Sequence, residues 1–456
     1  MAIKHLAGLA VAAAFISTQA QAKTEVEWWH AMGGALGNKV NEIAADFNAS
    51  QSEYEIKPVY KGSYAETMTS AIAAFRAKEQ PAIVQVFEVG TATMMGADKA
   101  IYPVYQLMED TKESFNPDDY LAAVTGYYTT NEGNMLSLPF NSSTPVLYYN
   151  KDMFAKAGVA NPPKTWKEME EVSRKLLASG AKCGFSTTWQ SWTQIENFGA
   201  RNNVPVANNN NGFAGLDTEF KFNDSAFVRH IDQMGKWSKE GIFKYGGRQS
   251  DGMPLFYTQE CAMTMGSSAG LAGIKENMKD VDIGVAQLPY DSEIVAKPQN
   301  TIIGGASLWV LRGHSSEEYK GVAKFFSYLS SAEVQADWHQ FTGYLPITKA
   351  AYELTKEQGF YAKNPGTDTA VLQMTSTEPT ENSKGIRFGN FLQTRDIINE
   401  ELEAVWAGKA TAQAALNNAV RRGDEQLRRF ERTPVSYTHL TPVSYTHLTL
   451  PTIYSV

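Results

Sequence analysis

An alternation of strand-like and helix-like segments near the N-terminus constrains the fold of this chain most strongly. Residues 25–30, 54–60 and 83–87 are rich in β-branched and aromatic side chains, and the stretches between them place apolar residues at helical spacing, as in residues 40–47. Three strands separated by two helices favour parallel pairing, because each connection must cross back over the sheet. The sequence therefore predicts an α/β fold that begins with a parallel, doubly wound sheet.

A second alternation begins near Thr144. Pro162 and Pro163 precede a capping box formed by Thr165 and Glu168, which predicts the start of a long helix. Strands are predicted at residues 261–265 and 307–311, and closing helices at residues 396–407 and 411–430. We therefore expect two lobes joined by three chain crossings: residues 23–142 plus 307–347, and residues 146–303 plus 352–432.

Length and charge agree with this division and exclude one class of partner. The chain has 456 residues, which exceeds the usual size of a single domain. Its 49 Asp and Glu outnumber its 41 Lys and Arg, which gives a formal net charge of -8. An acidic chain without basic runs is poorly suited to a phosphate backbone, so we expect no nucleic-acid partner.

The N-terminus has the pattern of a secretory signal peptide. Lys4 lies before a short apolar run from Leu6 to Ile16, and Ala20 and Ala22 supply small residues at a cleavage site. The run is shorter than the roughly 20 residues that span a bilayer. Residues 1–22 are therefore predicted to be a signal peptide, and the absence of a lipid-attachment cysteine at the cut predicts a periplasmic location.

The C-terminus repeats itself. Residues 433–440 recur without change as residues 441–448, and residues 449–456 follow. Two copies of an eight-residue unit do not build a solenoid, which needs at least three larger units. We interpret residues 433–456 as a non-native extension, and a genuine β-hairpin tail is the alternative.

Cys183 and Cys261 are the chain's two cysteines. Oxidising compartments favour a disulfide, but two buried thiols on neighbouring strands fit the sequence equally well. The cysteines and histidines show no metal-ligand spacing, so we expect neither a metal nor a cofactor.

Residues 266–270 match the G-x-S-x-G pattern of a nucleophile elbow. In this interpretation Ser268 is a nucleophile, and His314 or His339 is its base. A small-residue packing turn and an anion-binding cradle at a helix start are the alternatives.

Two further Ser- and Gly-rich segments lie where we expect the chain to cross between lobes. They span residues 140–144 and 304–307. Binding pockets favour domain interfaces, and small residues permit close approach of a ligand to the backbone. The sequence therefore predicts a ligand site between the lobes.

Four segments carry a specific resemblance: residues 85–95, 139–150, 302–309 and 338–349. They resemble the family 1 extracellular solute-binding proteins, the receptors of ABC importers, and in particular the branch that binds glycerol phosphates. The similarity runs from about Thr24 to Arg432. It implies a two-lobed periplasmic binding protein fold of type II. A protein with this fold is expected to close on its ligand, to dock as a monomer on permease subunits and to catalyse no reaction. A sugar-binding receptor of the same fold is the nearer alternative.

The resemblance also implies ligand contacts. Serine hydroxyls, a backbone N–H, a phenol and a guanidinium are donors suited to phosphate oxygens, and a carboxylate accepts from glycerol hydroxyls. The matching positions are Tyr64, Glu88, Ser143, Ser267, Gly305, Tyr344 and Arg395. Trp166 matches a cleft tryptophan, and Trp189 and Trp192 form a similar pair. Such rings attract a choline cation, which extends the expected ligands to glycerophosphodiesters such as glycerophosphocholine.

Overall fold

The computed structural model describes residues 22–130 and 132–432. The predicted signal peptide, apart from Ala22, and the repeated tail at 433–456 lie outside the described residues. Within the described ranges, no helix is both long and apolar enough to cross a membrane.

The described strands form two sheets. They are β1 Thr24–His30, β2 Tyr54–Tyr60, β3 Ile83–Phe87, β4 Ile101–Tyr102, β5 Leu138–Ser143, β6 Pro145–Asn150, β7 Cys183–Thr187, β8 Phe243–Tyr245, β9 Cys261–Ser267, β10 Ile283–Ala286 and β11 Gly304–Leu311.

Helices flank both sheets. They are α1 Gly34–Ser50, α2 Tyr64–Ala77, α3 Thr91–Gly96, α4 Val104–Thr111, α5 Ala122–Thr125, α6 Lys151–Lys156, α7 Trp166–Ala178, α8 Asn197–Arg201, α9 Asn208–Gly212, α10 Ser225–Glu240, α11 Met253–Tyr257, α12 Gly270–Asn277, α13 Ser316–Leu329, α14 Ala332–Thr342, α15 Lys349–Glu357, α16 Phe360–Lys363, α17 Thr369–Met374, α18 Phe391–Trp406 and α19 Ala412–Glu431. Short 3-10 turns span Glu88–Gly90 and Pro117–Asp119, and a π-helical segment spans Ser191–Glu196. The α9 segment is a left-handed turn, because three of its asparagines have φ between 51° and 53°.

The first sheet has the order β2-β1-β3-β11-β4, and β5 also pairs with β11. The parallel pairing of β1, β2 and β3 confirms the prediction for this stretch. The sheet as a whole is mixed, however, since β11 runs antiparallel to β3, β4 and β5. The physical reason is that β11 enters directly from the second lobe instead of following a crossover helix.

The second sheet has the order β10-β6-β9-β7-β8. Strand β7 is parallel to β8 and β9, whereas β6 is antiparallel to β9 and β10. Cys183 and Cys261 lie directly opposite each other on β7 and β9, with 4.4 Å between their Cα atoms, and they form a disulfide. Of the two states that the sequence left open, the structure therefore has the bridged one.

A predicted local signal starts α7, whereas α18 begins at Phe391, earlier than the predicted residue 396. The predicted capping box of α7 is present: the Thr165 hydroxyl accepts from the Glu168 N–H, and the Glu168 carboxylate accepts from the Thr165 N–H. Equivalent boxes start α2 and α13. Because these caps satisfy backbone donors that would otherwise lack partners, they fix the first turn of each helix.

Two crossings between the sheets lie side by side. Thr144 alone separates β5 of the first sheet from β6 of the second. Its hydroxyl lies 2.7 Å from the Thr301 hydroxyl and 3.1 Å from the Ile302 carbonyl, both on the segment that leads back into β11. The hydroxyl contacts therefore tie the two crossing strands together.

The third crossing comes late in the chain. Helix α15 packs against α14, and the Tyr361 hydroxyl of α16 lies 2.8 Å from Nε2 of His339. Helix α14 lies in the stretch predicted for the first lobe, so α15 and α16 contact that stretch, although the second lobe is predicted to resume at residue 352. The lobe division stays a prediction, and this packing argues for placing its last boundary after Lys363.

Candidate functional site

A cavity of about 540 Å³ lies between the two sheets. Its wall combines loops that follow β1, β3 and β5 with the start of β11 on one side and the end of β9 on the other. The charged residues of its lining are three acids and one base: Glu88, Asp251, Glu276 and Arg395. Seven of the eight predicted ligand residues line it: Tyr64, Glu88, Ser143, Ser267, Gly305, Tyr344 and Arg395.

Tyr64 and Tyr344 meet on the wall of the first lobe. Tyr64 is the first residue of α2, so the Ser63 cap positions it, and its ring stacks on Phe87 at 5.3 Å. The Asn141 amide donates to the Tyr64 hydroxyl over 2.7 Å. Burial raises the pKa of both phenols, so each stays protonated and keeps a donor at neutral pH.

The backbone of Gly305 forms part of the cavity wall. Its φ is 92°, a conformation that favours glycine, and a Cβ there would lie 1.9 Å from the Asn141 carbonyl oxygen. Next to it the pairing of β11 with β5 is irregular, with a register shift between Ala306 and Ser307. The tight approach places the Gly305 backbone beside Ser143 at the cavity.

Ser267, and not Ser268, lines the cavity at the end of β9. The Ser267 hydroxyl accepts from the Ala269 N–H over 3.1 Å. Ser268 is buried, and its hydroxyl makes no hydrogen bond within the described chain. His339 bonds the Tyr344 carbonyl and the Tyr361 hydroxyl, and His314 bonds Glu318. The nucleophile–base pair of the hydrolase interpretation is therefore not assembled.

Arg395 forms a buried charge cluster at the cavity floor. Its Nε and Nη2 donate to the two oxygens of Glu196 over 2.8 and 2.7 Å, and Nη2 lies 2.6 Å from Oε1 of Glu88. Burial alone would lower the pKa of Arg395, but the two carboxylates outweigh it and raise that pKa. Burial raises the pKa of Glu88, and Arg395 opposes this shift. The ion pair therefore joins the segment that follows β3 of the first sheet to α18.

The structure places Trp166 away from the cavity, whereas the resemblance predicted it as a ligand contact. This side chain does not line the cavity; it is buried in the second lobe, where its ring lies 4.5 Å from His230 and 6.3 Å from Trp237. As the first residue of α7 it points into the packing layer below the helix. Trp189 and Trp192 do line the cavity, and the indole N–H of Trp192 donates to the Ile303 carbonyl over 3.3 Å.

Several lining residues were missed by the sequence reasoning. Met32 follows β1, so the rule that ligands bind beyond the carboxyl ends of parallel strands could have found it. No sequence pattern indicated Asp251, Tyr257 and Glu276 as lining residues, because only the tertiary packing of the second lobe brings them to the cavity. Glu196 lies behind Arg395 and was equally invisible in the sequence. In residues 22–130 and 132–432, no group of three His, Cys, Asp or Glu side chains is arranged to hold a metal ion.

The fold and the cavity between its lobes define a binding protein of the periplasmic type. A family model described as bacterial extracellular solute-binding protein matches residues 42–369. The chain belongs to this family.

Two relatives are similar to the chain over almost its whole length. The sn-glycerol-3-phosphate-binding periplasmic protein UgpB of Yersinia pseudotuberculosis is 52% identical over 418 residues, which cover 91% of this chain and 95% of the relative. The protein of the same name from Salmonella typhimurium is 51% identical, and the match covers 96% of this chain and 100% of the relative.

Solved structures confirm the two-lobed fold. UgpB from Mycobacterium tuberculosis in complex with glycerophosphocholine is similar with a TM-score of 0.75 and 22% identity, covering 89% of this chain and 99% of that chain. The GacH receptor of Streptomyces glaucescens, solved without ligand and with acarbose, has a TM-score of 0.74 and 18% identity, covering 90% of this chain and 100% of that chain.

Proposed function

We propose that this protein is a periplasmic receptor that binds sn-glycerol 3-phosphate between its lobes and delivers it to an ABC import permease in the inner membrane. The observation that carries the proposal is the cavity that collects Tyr64, Glu88, Ser143, Ser267, Gly305, Tyr344 and Arg395. Relatives named for this ligand, about half identical over nearly the whole chain, support it.

The chemistry of the cavity suits a small polyol phosphate. The hydroxyls of Ser143 and Ser267, the Gly305 N–H and Arg395 offer donors for phosphate oxygens. Glu88 offers an acceptor for glycerol hydroxyls. The protein's net negative charge gives no long-range attraction for an anion, so these local donors must supply recognition.

The same cavity also suits glycerophosphodiesters such as glycerophosphocholine. Trp189, Trp192 and Tyr257 provide aromatic surface, and Asp251 and Glu276 provide negative charge for a quaternary ammonium group. We propose that the receptor acts as a monomer and makes or breaks no covalent bond. Ligand binding favours the closed arrangement of the lobes, which then docks on the permease.

Titration calorimetry and thermal unfolding of the full chain test this function. We expect sn-glycerol 3-phosphate and glycerophosphocholine each to bind, to raise the melting temperature and to change tryptophan fluorescence, and maltose to do none of these. Binding of maltose alone would favour the sugar-receptor alternative, and no response to millimolar amounts of either glycerol phosphate would overturn the proposal.

Ser267→Ala and Ser268→Ala form a matched pair of neighbouring hydroxyl deletions. We expect Ser267→Ala to weaken glycerol 3-phosphate binding by about 1–2 kcal/mol, since it removes a cavity donor, and Ser268→Ala to leave affinity unchanged. Turnover of a p-nitrophenyl ester that disappears in Ser268→Ala would instead support the hydrolase interpretation.

A further inference from the structure

Two buried amide side chains lie behind the wall of the ligand cavity. Gln85 is on β3 and Asn141 is on β5, and both residues are 0% exposed. Neither lines the cavity, and the proposed ligand contacts include neither of them. They can therefore influence a ligand only through the side chains that they contact.

The backbone of β1 fixes the orientation of both amides. The Ala31 backbone N–H can only donate, and it donates to Oε1 of Gln85 over 2.7 Å. Nε2 of Gln85 therefore faces Asn141 and donates to its Oδ1, also over 2.7 Å. Because Oδ1 is turned toward Gln85, the Asn141 amide presents its donor, Nδ2, on the opposite side.

The donor end of Asn141 meets the two tyrosines of the cavity wall. Nδ2 donates to the Tyr64 hydroxyl over 2.7 Å, and the Tyr344 phenol lies beside the same amide and the Tyr64 hydroxyl. A hydroxyl that accepts from Asn141 must direct its own hydrogen elsewhere. The Tyr344 hydroxyl donates to the sulfur of Met32, a cavity residue 3.9 Å away and a weak acceptor. A ligand oxygen can therefore take over this hydrogen at little cost.

We propose that Gln85 and Asn141 are positioning residues that hold the Tyr64–Tyr344 pair as a hydrogen-bond donor toward the ligand. This inference rests on the proposed function. An inverted Asn141 amide would accept the phenol hydrogens, and the pair would then present lone pairs to the cavity. The anchored amides therefore favour a ligand that offers acceptor oxygens at this wall, as a phosphate does.

Two substitutions of Gln85 keep its size but change its hydrogen bonds. Gln85→Met has no amide, so it releases Asn141. Gln85→Glu reproduces the wild-type pattern when protonated, because one carboxyl oxygen accepts from the Ala31 N–H and the other donates its hydrogen to Asn141. When ionised, the same carboxyl can only accept, which inverts the Asn141 amide. Burial raises the pKa of a carboxyl, so lowering the pH restores the protonated form.

Calorimetry of the full chain with glycerophosphocholine at pH 5.5 and pH 8 measures the effect, since the charge of this phosphodiester does not change in that range. Relative to the wild type at the same pH, Gln85→Met should bind about tenfold more weakly at both values. Gln85→Glu should stay within about threefold of the wild type at pH 5.5. At pH 8 it should bind as weakly as Gln85→Met or more weakly.

Referring each affinity to the wild type removes the titrations that all variants share. The titratable and charged groups around the two amides are His30, Tyr64, Glu88, Tyr128, Tyr344 and Arg395. Burial lowers the pKa of His30 to about 4 and raises the pKa of Glu88 and of the three phenols. Any titration of Glu88 therefore occurs in the wild type as well and cancels in the ratio.

A double-mutant cycle separates the direction of the hydrogen bonds from repulsion between the introduced carboxylate and the anionic ligand. Tyr64→Phe removes the hydroxyl that Asn141 contacts. In that background the loss of affinity that Gln85→Glu causes between pH 5.5 and pH 8 should shrink by at least about threefold. Simple repulsion would leave the loss undiminished.

Gln51→Glu is a matched control outside the cavity lining. The Gln51 side chain is half-buried, and its Oε1 accepts from the N–H groups of Glu53 and Tyr54. Its Nε2 donates to the Phe47 and Tyr54 carbonyls. The substitution makes the same chemical change without a link to the tyrosines, so affinity relative to the wild type should not change at either pH. A loss equal to that of Gln85→Glu would overturn the inference.

The remaining outcomes also decide. Wild-type affinity in Gln85→Met, or equal weakening by both Gln85 variants at pH 5.5, overturns the inference while the proposed function stands. If Gln85→Met does not fold, an undiminished pH effect in the Tyr64→Phe background overturns it instead. If the wild type binds only sn-glycerol 3-phosphate, the same ratios are measured with that ligand. If it binds neither ligand, the proposed function fails and this inference fails with it.

Discussion

At the scale of single residues, Trp166 and Trp192 differ in their position relative to the cavity, although the sequence indicated both as candidate ligand contacts. Trp166 packs beneath α7 against His230, Phe185 and Trp237, whereas Trp192 faces the cavity. Both rings are nearly buried. Burial alone therefore does not identify a ligand contact.

Trp166→Phe is expected to change glycerol 3-phosphate affinity by less than about twofold while lowering the free energy of unfolding by about 1–3 kcal/mol, because it removes only packed core surface. Trp192→Phe is the matched change inside the cavity, and it should weaken binding. Calorimetry and urea unfolding measure the two quantities. Equal losses of affinity in both variants would contradict the assignment of Trp166 to the core.

At the scale of elements, the pairing of β5 with β11 shapes the cavity wall. Glycine is required at Gly305 both for its positive φ and because a Cβ there would lie only 1.9 Å from the Asn141 carbonyl oxygen. Gly133 also has a positive φ, 89°, but nothing lies within 4 Å of a Cβ at that position. Comparing alanine substitutions at the two glycines therefore distinguishes the stability cost of a positive φ from the cost of a steric clash.

Gly133→Ala should cost about 1–2 kcal/mol of stability, the usual cost of a left-handed residue. Gly305→Ala should cost at least about 3 kcal/mol more and abolish glycerol 3-phosphate binding, because the strands must separate. Urea unfolding gives the stabilities. Similar losses in both variants would show that the strand pairing tolerates a side chain.

The disulfide between β7 and β9 closes a loop with a sequence separation of 78 residues. Its reduction should lower the free energy of unfolding by about 4.5 kcal/mol in the chain-entropy model. Ligand affinity should not change, because the disulfide lies at the start of β9, at Cys261, whereas the cavity residue Ser267 lies at the opposite end of the strand. Thermal unfolding with and without reductant measures the first effect, and calorimetry the second; a loss of affinity on reduction would contradict this separation.

At the scale of the whole molecule, three buried imidazoles make stability depend on pH. Burial lowers the pKa of His30 and His339 to about 4 and that of His230 to about 3, from 6.5. Below pH 6.5 the unfolded chain therefore takes up protons that the folded chain does not. Stability is lost as the pH falls from 6.5 toward 4.

Each imidazole should contribute a slope of up to about 1.4 kcal/mol per pH unit in that range. Carboxyls whose pKa burial raises, such as those of Glu88, Asp396 and Asp424, act in the opposite direction. Urea unfolding of wild type and His230→Gln between pH 7.5 and 5 isolates one imidazole. We expect a smaller slope in the variant, and equal slopes would contradict a neutral, buried His230.

Much of the fold follows from local pattern. Residues 54–60 and 83–87 form strands with the predicted bounds, and the Thr165 box starts α7 where the sequence placed it. These features are decided within one turn or one strand, by side-chain periodicity and capping chemistry. The antiparallel entry of β11 was not predicted, because strand direction depends on which lobe the chain leaves.

The sequence by itself determined the α/β alternation, the capped start of α7 and, through family resemblance, a set of candidate ligand residues, of which the fold brings seven together. Only the tertiary structure placed Trp166 in the core, joined Cys183 to Cys261 and set Glu196 against Arg395. The physical reason is distance along the chain. Glu196 and Arg395 are far apart in sequence, and their ion pair exists only because α18 packs beside the π-helical segment.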